Sequence, residues 1–85
     1  MEHMEKYVAA ALASACGAIS SALAGLRNQT LNSEAYGIGQ IVGAGHLSVS
    51  EARTALIGAA MANGMDKHEA EATVKSGIES GMRKP

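Results

Sequence analysis

Six consecutive residues, Arg27, Asn28, Gln29, Thr30, Leu31 and Asn32, set five hydrogen-bonding side chains around a single leucine, and Gln40 follows eight residues later. An arginine in such a setting can hold a phosphate through two parallel N–H bonds. Asn28, Asn32 and Gln40 can read a base edge or bond a backbone. The same residue types also satisfy helix ends, and a buried glutamine can tie a loop to a helix. The cluster therefore has a structural use beside a binding one. Other chemistry fails on inspection. Serine and histidine occur, but no aspartate completes a triad in any recognisable motif. Cys16 sits in an apolar stretch, where an inert buried thiol is expected. As the single cysteine it excludes an internal disulfide and a cysteine-based zinc site. His3, His46 and His68 are scattered, so no metal is expected. Gly37 and Gly39, and again Gly43 and Gly45, lack a following Lys-Ser/Thr and a preceding strand, which argues against a phosphate loop. The chain reads as a non-enzyme without cofactor.

The elements that must position these residues are helical. Apolar residues make up 47% of the 85, yet there is no Trp or Phe, and Tyr7 and Tyr36 are the only aromatics. Leu, Ile, Val and Met knobs between closely spaced backbones suit helix packing and suit a β-sandwich poorly. One domain over residues 1–85 is expected, with residues 1–4 reading in part as a cloning remnant. The net charge of −1 provides no global basic field. Residues 8–26 lack charge but are mostly Ala, Ser and Gly, too weakly apolar for a membrane span. A signal peptide is disfavoured by two Glu against one Lys in residues 1–6. A reducing, cytoplasmic setting is the expectation.

The fold class expected is all-α: a small four-helix bundle with a long N-terminal helix and a C-terminal helix-turn-helix-like pair. The first helix is expected over residues 2–26, with Val8, Leu12, Ala15, Ile19, Ala22 and Leu26 as a heptad stripe. That stripe would pack on the bundle, or dock on a partner or a second copy. The second helix is expected from Asn32 or Ser33 as cap, with Ala35, Ile38, Gly39 and Val42 on one face. Gly37 and Gly39 each cost about 1 kcal/mol in a helix interior, which points to a tight crossing or a close ligand. Ser48 and Glu51 have capping-box spacing and open the third helix, whose inward residues are Ala52, Ala55, Leu56, Ala59 and Ala62. Gly64 closes it, with Met65 as the following apolar contact. Asp66 and Glu69 open the fourth, with Ala70, Val74, Gly77, Ile78, Gly81 and Met82 inside. On that helix the glutamates dilute the lysines, so as a recognition helix it is weak, and Glu71 with Lys75 reads as an i,i+4 pair.

Tyr7-Val8, Arg27-Asn28-x-Thr30-Leu31-Asn32, Ala35-Tyr36, Gly39-Gln40, Val42, Gly45 and Leu47 resemble a helical module of phage and prophage replication proteins. The likeness continues through Ser48-x-x-Glu51-Ala52, Ala55-Leu56, Ala59-Ala60 and Gly64. It ends in Glu69-Ala70, Thr73-Val74, Ser76-Gly77-Ile78, Gly81 and Pro85. In those primases and primase-polymerases of actinobacterial phages, the module looks like a linker or accessory domain beside primase and helicase domains. The resemblance covers nearly the whole chain. This sequence departs from it in having Tyr36 where the family usually has Phe, and less charge in the first helix. It implies a non-catalytic module in DNA replication that contacts single-stranded or primer-template DNA, or neighbouring domains. The contacts expected are Arg27, Asn28, Thr30, Asn32 and Gln40, helped by Lys75, Ser76, Arg83 and Lys84. The alternative expectation is a protein-interaction or oligomerisation module, or a small phage-encoded regulator, acting through the Ala-rich first helix.

Overall fold

The computed structural model describes residues 2–85, and the reading of residues 1–4 as a cloning remnant falls partly outside them. Among the described residues there are four α-helices and no strand: α1 Glu2–Ser21, α2 Arg27–Gly43, α3 Val49–Ala62 and α4 Lys67–Met82, with a 3-10 turn at Ala24–Leu26. No helix is long and apolar enough to cross a membrane. The core is one cluster, with Ile19, Leu31, Leu56, Val74 and Ile78 as its largest fully buried side chains.

Two helix starts follow the local rules read from the sequence. The Ser48 hydroxyl accepts the Glu51 N–H at 3.0 Å, and the Asp66 carboxylate accepts the Glu69 N–H at 3.2 Å. Two ends are Schellman turns with glycine in the left-handed region. Gly45 and Gly64 both have φ of +87°. After α2, the His46 N–H reaches the Ile41 carbonyl; after α3, the Met65 N–H reaches that of Ala60. Met65 is buried beneath its turn, as expected of the residue after such a glycine.

Two boundaries differ from expectation. Helix α1 stops at Ser21, five residues before Leu26. The Ser20 and Ser21 hydroxyls donate back to the Gly17 carbonyl at 3.2 and 2.7 Å, a bond that competes with the helix ladder. Leu23 is extended, with φ −64° and ψ 149°. Asn63 Nδ2, from the far end of α3, donates to the Ile19 carbonyl at 3.1 Å, which also accepts the Ala22 N–H, and to the Ala22 carbonyl at 2.8 Å. Replacing Asn63 with Ala removes both bonds and leaves the Ala22 carbonyl without its donor. A loss of about 1–3 kcal/mol is expected in urea unfolding, with an unchanged m-value.

Helix α2 starts at Arg27, so residues 27–32 form its first turns, and neither Asn32 nor Ser33 caps it. The cap position is Leu26, which makes no side-chain cap bond. Burial overrides the capping preference here. Leu31 is fully buried in line with Ala35, Ile38 and Val42, and this spacing of four, three and four demands a helix that already includes Leu31.

Chain direction alternates from helix to helix, as short connections favour. Cys16 meets Ala55 and Ile19 meets Asn63, so α1 and α3 run parallel. Asn28 meets Thr73, Ala35 meets Gly77 and Gly43 meets Met82, so α2 and α4 also run parallel. The α2–α4 contact is the closest in the molecule, and glycine makes it possible. A β-carbon on Gly43 would stand 2.6 Å from the Met82 carbonyl oxygen, and one on Gly77 would stand 2.6 Å from Ala35 Cβ. Gly39 lies against the Ile78 backbone, and Gly81 against those of Tyr36 and Gln40. By contrast Gly37, the other glycine expected at a tight crossing, has open space over it. The tight pair is thus α2 with α4, two helices that are not consecutive in the chain.

Other inward assignments need smaller corrections. Ala52 and Leu56 are buried, while Ala55 and Ala59 are half-buried. Ala62 faces solvent at the end of α3 and Ala60 takes the buried place. Met82 closes on Gly43 through its backbone, while its side chain is 37% exposed.

Candidate functional site

Asn28, Asn32, Tyr36 and Gln40 recur every four residues and so form one stripe along α2. Every member meets α4. Thr73 Oγ1 donates to Asn28 Oδ1 at 2.6 Å. The Asn32 carbonyl lies over Gly77, and the Tyr36 carbonyl over Gly81. Gln40 Nε2 donates to the Lys84 carbonyl at 2.9 Å. The stripe therefore clamps the two parallel helices at both ends and abuts glycines in between. Of the two uses open to Gln40, the structural one is seen: it ties the segment after α4 to α2.

Groups remain free for a ligand along this seam. The side chains of Asn28, Asn32, Ser76, Arg83 and Lys84 are exposed, and the Tyr36 ring is half-buried. Gln40 lies twelve positions after Asn28, so the seam is roughly 18 Å long. It is an elongated polar strip with a cationic end at Arg83 and Lys84, which suits an extended chain better than a small molecule.

The expected site residues do not all come together. Arg27 turns away from the seam. Its guanidinium lies against the Gly64 turn, with Nη2 3.6 Å from where a β-carbon of Gly64 would stand, and its Nε is buried without a hydrogen-bond partner among the described residues. Asp66 and Glu69 line the same small cleft, and their carboxylates oppose a phosphate there. Thr30 is half-buried and falls one turn before Glu34, on the side of α2 that meets α1. Lys75 lies on the opposite flank of α4, in a groove with Val49 and Arg53 of α3. The periodicity of Asn28, Asn32, Tyr36 and Gln40 is the signal in the sequence for this seam, and reading residues 27–32 as a joint between helices hides it. Thr73, the partner on α4, carries no signal of its own.

The stripe expected to dock on a partner is largely used within the chain. Val8, Ala15 and Ile19 are buried, and Leu12 and Ala22 are half-buried. Leu26 lies outside α1, in the 3-10 turn, and is 47% exposed; Leu23, just before that turn, is 73% exposed. Cys16 is half-buried against Ala55, donating to its carbonyl at 3.6 Å, and burial pushes the thiol pKa up. A thiol so placed is a poor nucleophile. Among the described residues no three His, Cys, Asp or Glu side chains gather as a metal site would require. No protein-family model, curated protein or solved structure matches the chain.

Proposed function

We propose that this chain is a non-catalytic helical module of a phage-type DNA replication primase or helicase, and that it contacts single-stranded or primer-template DNA through the α2–α4 seam. The resemblance in residues 27–40 motivates the replication setting. One observation supports the contact surface: Asn28, Asn32, Tyr36 and Gln40 of that motif lie on one helix face, alongside Ser76 and the exposed cations Arg83 and Lys84. Cations draw in a phosphate chain without sequence preference, while amides and an aromatic edge meet unstacked bases. Contact with neighbouring primase or helicase domains is the other use of the same strip.

Fluorescence anisotropy at low salt, with single-stranded, duplex and primer-template DNA, checks the reading. Binding is expected to favour the substrates with unpaired bases. Replacing Arg83 and Lys84 together with Ala is expected to weaken binding and to flatten its salt dependence by roughly one to two units of log K against log salt. Arg27→Ala, made away from the seam, is expected to leave that slope unchanged. No binding to any of the three substrates would remove the nucleic-acid role and leave the domain contact.

A further inference from the structure

The groove between α3 and α4 lies on the flank of α4 away from the seam, and its charges follow a regular order. Lys67, Glu71, Lys75 and Glu79 recur every four residues along α4 and all line it. Read backwards, plus, minus, plus, minus becomes minus, plus, minus, plus. An antiparallel copy of α4 laid on this stripe sets Lys67 opposite Glu79 of the second copy, and Glu71 opposite Lys75 of the second copy. A parallel copy in register sets like on like. The spacing also suits ion pairs within one helix. Yet the ion pair formed among the described residues is His68 with Glu71, at 4.0 Å, and it requires a protonated histidine. The two lysines and Glu79 keep their charges free.

The α3 wall of the groove points the same way. Val49 faces Met82 of α4 at one end and Met61 lies beside Lys67 at the other, and the three are 39%, 37% and 45% exposed in that order. Gly58 sits in the middle of α3, and a β-carbon added to it would meet nothing within 4 Å. A mid-helix glycine costs about 1 kcal/mol against alanine, and no contact inside the chain requires this one. It leaves room for another backbone to come close. The α4 stripe itself is neutral, two lysines against two glutamates, and Arg53 of α3 adds one cation to the groove.

We infer that this face takes a second copy of the chain, related by a two-fold axis that passes midway between Glu71 and Lys75. The pairing is isologous, as closed dimers are. A 16-residue helix is about 24 Å long, and a face two helices wide covers roughly 1,000 Å² in total, the low end for a specific interface. The dimer is therefore weak and reversible.

Sedimentation equilibrium on the full chain tests it, from about 10 μM to about 1 mM, a range that detects association of ordinary weak strength. Mass is expected to rise toward twice the monomer value. Glu71→Lys alone and Lys75→Glu alone each set like charges opposite one another, and each is expected to weaken association at least about tenfold, with circular dichroism melts showing both folded. Mixed one to one, the two variants restore both opposite-charge pairs, and a heterodimer is expected to form, by native mass spectrometry, at least as well as the wild-type homodimer. A wild-type chain that stays monomeric at the highest concentration overturns the inference. So does a mixture that associates no better than either variant alone. Neither result bears on DNA binding, which is read with Arg83 and Lys84.

Discussion

Gly81→Val is expected to leave the domain largely unfolded at room temperature. The first side-chain carbon at this position would run into the Tyr36 carbonyl oxygen, and it would stand 2.9 Å from the Gln40 nitrogen and 3.0 Å from the Gly39 carbonyl carbon. All three are backbone atoms of a helix, so no rotamer change relieves the contact. Helix α4 would have to move off α2 along its length, because Gly39, Gly43 and Gly77 hold the same close approach. Overpacking that side chains can absorb costs about 1–3 kcal/mol, and a backbone-limited clash exceeds that. An 85-residue domain sits near the low end of natural stabilities, about 5 kcal/mol, so the loss takes most of what it has. Thermal melts check the expectation, with Gly17→Ala as the opposite case. Gly17 lies in the interior of α1 with open space over it, and alanine there is expected to gain up to about 1 kcal/mol through helix propensity. Equal behaviour of the two variants would show that the α2–α4 approach is not glycine-dependent.

Leu31→Ala is expected to cost about 3 kcal/mol, within the usual range for a fully buried leucine. Leu31 is the single apolar residue of the polar hexapeptide. It places α2 by filling the core where Ala35, Ile38 and Val42 continue its line. Chemical denaturation should show the loss as a lower midpoint at constant m-value. Thr30→Ala, one residue earlier and half-buried, is expected to shift the midpoint by far less. If the two cost the same, Leu31 does not anchor the helix in the way described.

These two residues show how far the chain can be read from its sequence. Leu31 is visible there, but its polar neighbours suggest an irregular joint capped by Asn32. Capping is worth about 1 kcal/mol and burying a leucine about twice that, so the helix extends backwards and takes the joint with it. Gly39 is marked in the sequence as a place of close approach, but what it approaches is not. The packing of Gly39 and Gly43 on the Ile78 and Met82 backbones, and of Gly77 and Gly81 on α2, joins positions about forty residues apart on helices that are not consecutive. The candidate site divides for the same reason. Arg27, Lys75 and Lys84 carry the same charge and look alike in a string, yet they end on three different surfaces.

What the sequence determined by itself is whatever depends on neighbours within a turn or two. Ser48 and Asp66 cap helices because their oxygens reach an N–H three residues on, and Gly64 ends one because it accepts a positive φ. Composition alone, with small residues between aliphatic knobs and no β-period, was enough for an all-α bundle. Only the tertiary structure decided which helices touch most closely, where α1 stops and which polar residues meet. Those outcomes turn on contacts between distant segments, such as Asn63 reaching Ile19 and Ala22, or Gln40 reaching Lys84. Such contacts exist only once the whole core has set the distance and direction of each helix, and no local spacing encodes them.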